Sequence, residues 1–419
     1  MAAWIRKSSM HFSGQWETES EGGELPNLQP KFPCMDLSHI LNHLGEDREL
    51  HYGAGSPPIF QTSNFLYRTV GEMRQALMAE MDTPFYTRGY NPTVAGLRKK
   101  IAAMEGTEEC LMFGSGSGAV AAAVLSAVKA GDHVVCVQKP YSWTYKLLSQ
   151  WLARFGVETT FIDGRDPENF RSAIRPNTRL FMLESPNSIT FELQDLAAVA
   201  AIAKAHGILT AIDNSYATPL NQQPAAFGID MVVHSATKYL NGHSDVVAGA
   251  LCCSRALAEK IFAGEYMTLG GILSPNDAWL LIRGLRTLDL RLERVAASTP
   301  KIVDFLANHP RIEQVYYPFH ASFPQYELAQ KQMKRPGGQF SILLKASDIA
   351  EVERFCDGLQ RFLMGPSWGS FESLIFPTCT LYTSANYVTT LPWNLVRFYI
   401  GLEDADALIA DLDQALERS

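Results

Sequence analysis

Between residues 91 and 285 the chain alternates short apolar runs with segments of helical periodicity, and this alternation constrains the fold more than any other feature. Strand candidates stand at 109–113, 133–137, 157–162, 178–183, 208–212, 229–235 and 247–253. Between or before them lie helical patterns such as 93–104, with Leu97, Ile101 and Met104 on one face, 119–129 and 195–206. Apolar strands separated by helices do not pair as tight hairpins, because each helix returns the chain to the end where the last strand began. The pattern predicts an α/β fold with a mostly parallel, doubly wound sheet as its large domain.

The flanks read differently. Residues 1 to about 30 are polar and rich in Glu, Gly and Ser, with Pro26, Pro30 and Pro33 close by, which predicts an irregular arm. Residues 34–90 hold helical patterns at 36–45 and 70–81 on either side of the turn-rich HYGAGSPPIFQTSNF. Such a segment cannot bury a core alone, so residues 1–90 are expected to form an N-terminal arm draped over a neighbouring subunit. From about 286 to 419, long helices, strands at 338–344 and 396–400 and an amphipathic helix after Asp404 predict a smaller C-terminal α+β domain.

Composition removes several function classes. With 419 residues and 47% hydrophobic content the chain can bury the core of a two-domain enzyme. The formal charge of -8 comes with no basic stripe, so no nucleic-acid partner is expected. The longest apolar stretch, 119–128, is too short to span a bilayer, and residues 1–12 lack the apolar core of a signal peptide, which points away from membranes and to the cytoplasm. The seven cysteines are odd in number and sit partly in strand-like runs, so they read as reduced, mostly buried thiols. There is no CxxC pair, Cys252 and Cys253 would face opposite sides of a strand, and His234 and His243 match no metal spacing, so no metal is expected.

The chemistry centres on Lys238, within SATKYLNGHSD at 235–245. Most lysines are solvated surface charges. This one follows an apolar run and is flanked by Ser235 and Thr237, an arrangement that presents an amine to an aldehyde cofactor while hydroxyls bind a phosphate close by. The segment FGSGSGAV at 113–120 follows a strand and opens a helix, so its backbone N–H groups suit an anion. Its glycines, Gly114 and Gly116, could also begin a dinucleotide fingerprint, but the next acidic residue, Asp132, does not end a second strand as ribose recognition requires. Asp213 closes the apolar run GILTAID, and in a parallel sheet it would share a C-terminal crevice with Lys238. A carboxylate there can keep a pyridine nitrogen protonated, although an Asp before Asn214 can equally serve a turn. Tyr141, in the loop after 133–137, can stack on a planar cofactor.

SATKYLNGHSD, together with YTRGYNPT (86–93), SWGSFESL (367–374) and VRFYIGLED (396–404), resembles the cysteine and methionine metabolism family of fold-type I pyridoxal phosphate enzymes, from about residue 50 to the end. The resemblance implies Lys238 as the Schiff-base lysine, Asp213 as the partner of the pyridinium and Tyr141 as the stacking ring. It implies that Gly116, Ser117, Ser235 and Thr237 hold the phosphate, while Tyr86 and Arg88 reach the cofactor phosphate of a neighbouring subunit. Arg397 would grip the substrate carboxylate, with Ser367, Trp368 and Tyr86 also near the substrate. A homotetramer built as a dimer of dimers, with pyridoxal 5'-phosphate as cofactor and a sulfur amino acid as substrate, is the family expectation. The chain departs from the pattern at Ser117, where methionine is common, at Pro366, where glutamate is typical of γ-acting members, and at PYSWT (140–144), where YGGT is frequent.

Members differ in which carbon releases sulfur. ESPNSITFELQD (184–195) resembles bacterial cystathionine β-lyases more than the ESPxNP form of γ-acting enzymes, and Trp368 stands where γ-acting relatives carry leucine. The expectation is therefore β-elimination of cystathionine or a related cysteine S-conjugate to a thiol, pyruvate and ammonia. The alternative is a γ-acting relative; a remote one is a nicotinamide-binding or cofactor-free protein of similar architecture.

Overall fold

The computed structural model describes residues 36–382 and 390–418, so the arm expected over residues 1 to about 30 lies outside the described residues. All seven expected runs of the central region form strands: β1 (Glu109–Phe113), β2 (His133–Val137), β3 (Glu158–Ile162), β4 (Thr178–Glu184), β5 (Leu209–Asp213), β6 (Met231–Ser235) and β7 (Gly249–Cys253). They build one sheet in the order β1-β7-β6-β5-β4-β2-β3. The pairings from β3 through β2, β4 and β5 to β6 are parallel, whereas β7 runs antiparallel to both β6 and β1. The reversal has a local cause. No helix stands between Ser235 and Gly249, and a parallel return needs a crossover that this connection lacks.

Both faces of this sheet are covered. On β7, Cys252 packs into the cluster with Leu97 and Ile101, and its neighbour Cys253 into the opposite cluster with Val120 and Val124, as the two-residue period of a strand requires. The six described cysteines are free and buried. The helix Pro92–Glu105, capped by the Asn91 side chain and opened by Pro92, buries Leu97, Ile101 and Met104 as its spacing predicts.

A second sheet, in the order β10-β11-β12-β9-β8, contains β8 (Ile312–Tyr316), β9 (Gln339–Leu344), β10 (Leu363–Met364), β11 (Leu374–Pro377) and β12 (Leu395–Tyr399). Only β9 and β12 are visible in the sequence. Strand β8 exposes Glu313 and Gln314, β10 is two exposed residues, and β11 is four residues ending on proline, so none carries a run that stands out. The final helix, Ala405–Arg418, seats Leu408, Leu412 and Leu416 in this sheet's core, each worth about 2 kcal/mol of apolar burial.

The helix Leu288–Ala307 joins the two cores. Leu288 and Leu292 belong to the cluster of the first sheet, and Ile302, Val303 and Leu306 to that of the second. Its Arg291 donates to the carbonyls of Tyr239 and Gly284, both at 2.8 Å. No helix among the described residues is long and apolar enough to cross a membrane.

Candidate active site

Lys238 lies just past the end of β6, where its backbone N–H donates to the Ser235 carbonyl. Its Nζ donates to Ser367 Oγ at 2.7 Å and lies 5.4 Å from the centre of the Trp368 ring. The Ser367–Gly369 loop can come this close because Gly369 has φ +90° and no side chain. A Cβ there would stand 2.8 Å from Tyr239 N and 2.9 Å from Lys238 Cβ. Burial, helped by the positive charge of Arg397 and opposed by Asp213, brings the Lys238 amine down to about 8. Such an amine is substantially neutral, and therefore nucleophilic and basic, close to physiological pH.

Arg397 projects from β12 of the second sheet. Its Nη2 donates to the carbonyls of Pro366 at 3.0 Å and Ser367 at 3.4 Å, so the loop that meets Lys238 also meets Arg397. Burial lowers its guanidinium to about 10. Among the described residues no carboxylate lies within ion-pair distance of it. A buried guanidinium without a counter-ion is costly unless a ligand supplies the charge, and the planar fork matches a carboxylate.

The N-terminus of the helix that follows β1 meets the end of β6. Ser115 caps the helix Gly116–Ala127 by accepting from the Gly118 N–H at 3.0 Å, which leaves Ser117 exposed in the first turn. Gly116 touches the end of β6, where a Cβ would lie 2.8–2.9 Å from Ser235 Cβ, Cα and Oγ. Only a residue without a side chain lets helix N-terminus and strand end meet here. Ser235 donates its N–H to Ser215 Oγ at 2.6 Å. Thr237 is turned to the backbone of Ala248, its hydroxyl donating to the carbonyl at 3.2 Å and accepting from the N–H at 2.9 Å.

Asp213 ends β5, with Oδ1 accepting the Ser215 N–H at 2.9 Å. Beside it in register, Glu184 ends β4. Glu184 Oε2 accepts the backbone N–H of Tyr141 at 2.7 Å, and Oε1 accepts the Ser188 hydroxyl. Sequence reasoning passed over Glu184, although an acidic residue closing an apolar strand is the same signal that singled out Asp213. The Tyr141 ring is 40% exposed, and Trp143 faces Lys146 at 4.6 Å. Tyr86 and Arg88 are exposed and lie against each other, the Arg88 guanidinium 5.3 Å from the ring centre, apart from the contacts that join Lys238, Ser367 and Arg397. His234 is a buried partner of Glu105 at 2.7 Å, and His243 Nδ1 lies 2.7 Å from the Asn241 carbonyl.

These residues fit a group with an aldehyde, a phosphate and a ring nitrogen: a poised amine at Lys238, a helix N-terminus that Gly116 lets close on the end of β6, and the carboxylate of Asp213. Fold and site together define a fold-type I pyridoxal-phosphate-dependent enzyme. The profile of the "Cys/Met metabolism PLP-dependent enzyme" family matches residues 39–417, and the chain belongs to that family. It is 39% identical over 375 residues to an L-methionine gamma-lyase of Treponema denticola, covering 88% of this chain and 93% of that protein. It is 37% identical over 390 residues to a cystathionine gamma-lyase of Bacillus subtilis, covering 91% and 100% respectively. The crystal structure of metB from Corynebacterium glutamicum superposes with a TM-score of 0.86 at 33% identity, over 92% of this chain and 99% of that one. The protein is thus a pyridoxal-phosphate-dependent lyase of the trans-sulfuration group. The γ-acting alternative has more support among these relatives than the expected β-elimination.

Proposed function

We propose that the protein is a carbon–sulfur lyase that eliminates a thiol from the γ-carbon of a methionine- or cystathionine-type amino acid, giving α-ketobutyrate and ammonia with uptake of water. The observation that carries the amino-acid part is the convergence on one loop of the Lys238 amine and the Arg397 guanidinium, which has no carboxylate partner among the described residues, through Ser367 Oγ and the carbonyls of Pro366 and Ser367. The γ-lyase names of the relatives support the choice of carbon.

In this reading Arg397 binds the substrate carboxylate, and Lys238 holds the cofactor until substrate arrives. Gly116, Ser117 and Ser235 would hold its phosphate, Asp213 its ring nitrogen and Tyr141 its face, while Thr237, also expected at the phosphate, would first have to turn its hydroxyl from Ala248. The bound cofactor supplies an electron-withdrawing ring that stabilises negative charge at the substrate Cα. The freed Lys238 amine, with its depressed basicity and Ser367 as partner, would take the Cα proton, pass it on and so be neutral again to take one from Cβ, whose electron pair expels the thiolate from Cγ. Trp368, beside that amine, walls off the side-chain space together with Ser367. β-Elimination remains the second reading, favoured by the ESPNSIT segment, Pro366 and Trp368.

The keto acid formed from cystathionine separates the two. α-Ketobutyrate, with methanethiol released from methionine, is the expected result; pyruvate alone would establish the β-lyase. The proposal extends to a cytoplasmic homotetramer with sites shared between subunits, Tyr86 and Arg88 serving the neighbour's cofactor phosphate. It also includes the division into an N-terminal segment to 90, a cofactor domain over 91–285 and a C-terminal domain from 286.

A further inference from the structure

Glu184 is a buried carboxyl with no part in the chemistry above. It closes β4 at the level where Asp213 closes β5, so two carboxyls stand side by side at the C-terminal edge of the sheet. Strand β4 is central and its last five residues are buried, so the Glu184 backbone is rigidly held. Its side chain reaches the connection that follows β2 and accepts the Tyr141 N–H at 2.7 Å, while its other oxygen accepts the Ser188 hydroxyl. Tyr141 is the residue where that connection enters the short helix Ser142–Lys146, and it provides no side-chain cap of its own. A fixed, buried acceptor therefore meets the backbone of the residue at which that connection turns into the helix.

We propose that Glu184 is a positioning residue for the cofactor: it sets the backbone of Tyr141, and with it the ring that covers the cofactor, and it leaves the charge of the adjacent carboxyl pair on Asp213. Burial, with the neighbouring Asp213 charge, pushes the Glu184 carboxyl up to about 8, so at neutral pH Glu184 carries the pair's proton. The Cys136 thiol of β2 also feels the Glu184 charge and is itself pushed well up by burial, so it is uncharged. Both forms of Glu184 can accept the Tyr141 N–H, so the contact survives across this range.

The inference rests on the cofactor reading, and the two can fail separately. Wild type, Glu184→Gln and Glu184→Ala would each be loaded with pyridoxal phosphate, and cofactor dissociation, visible circular dichroism and the absorbance titration of the bound cofactor recorded. Glu184→Gln keeps an acceptor for Tyr141 but cannot ionise. It should retain cofactor like wild type and lose a spectral step near pH 8 that wild type shows. Glu184→Ala should release cofactor about tenfold more readily, the loss of one hydrogen bond to a polar group, with weakened circular dichroism. Wild-type retention and dichroism in Glu184→Ala, or an unchanged alkaline step in Glu184→Gln, would overturn the proposal. If the alanine variant does not fold, the titration of the glutamine variant decides alone. A wild-type protein that takes up no pyridoxal phosphate would sink the cofactor reading instead.

Discussion

The Nζ of Lys238, carried by the first sheet, donates to Ser367 Oγ at 2.7 Å, and Ser367 belongs to a loop whose carbonyls are held by Arg397 of the second sheet. The amine is thus placed by both sheets, in surroundings that favour its neutral form. A solvated lysine titrates at about 10.4. With burial lowering Lys238 to about 8, covalent attachment of pyridoxal phosphate to the cofactor-free protein should speed up as pH rises and level off above about 8. The rate of imine absorbance after mixing measures this. A midpoint near that of a free lysine would remove the electrostatic account of the site.

Arg397→Lys keeps a charge but not the planar fork. Since the guanidinium is to bind the substrate carboxylate by two parallel hydrogen bonds, KM should rise about a hundredfold while bound-cofactor absorbance stays as in wild type. Steady-state kinetics on the loaded variant test it, and an unchanged KM would assign the carboxylate to another residue.

Gly369→Ala should cost about 1–3 kcal/mol, because alanine at φ +90° is strained and its Cβ would press on Lys238 and Tyr239. Gly365→Ala in the same segment meets nothing closer than Leu374 Cδ2 at 3.6 Å and serves as the control. Thermal unfolding of both, with substrate turnover, should show loss in the first alone. Equal effects would mean that the close packing of this loop on Lys238 is not what matters.

Arg88→Ala should weaken cofactor retention, and Lys238→Ala should abolish turnover. If Arg88 serves the neighbouring subunit, unfolding and refolding the two variants together should restore activity, because a mixed dimer contains one site with both residues intact. No recovery on mixing would confine Arg88 to its own subunit.

The large sheet was legible because its inner strands are buried on both faces and read as largely apolar runs, whereas the edge strand β3, ETTFI, is only half-buried; each expected run ends within two residues of the strand it forms. The antiparallel direction of β7 was not, since it depends on an absent crossover helix rather than on β7's own residues. In the second sheet, β8 and β10 are exposed enough to carry no pattern. Lys238, Asp213 and Gly116 stood out in the sequence because each sits at a strand end or strand-to-helix turn, where residue type and position speak together. Glu184 has the same placement, but its significance depends on the register with Asp213 and on the reach to Tyr141, which lie far apart in sequence. The hydroxyl of Thr237 turns to Ala248, a contact set by the β6–β7 pairing and invisible to spacing.

The helix Leu288–Ala307 gives the arrangement a further meaning. One end is embedded under the sheet that carries Lys238 and, through Arg291, holds the carbonyl beside that lysine; the other end is embedded under the sheet that carries Arg397. The two sheets then act as the jaws of a caliper, with this helix as its beam. An α-amino acid offers a fixed span between nitrogen and carboxylate, whatever its side chain. Its backbone would be gauged by the beam, leaving the choice of leaving group to the few residues around Trp368.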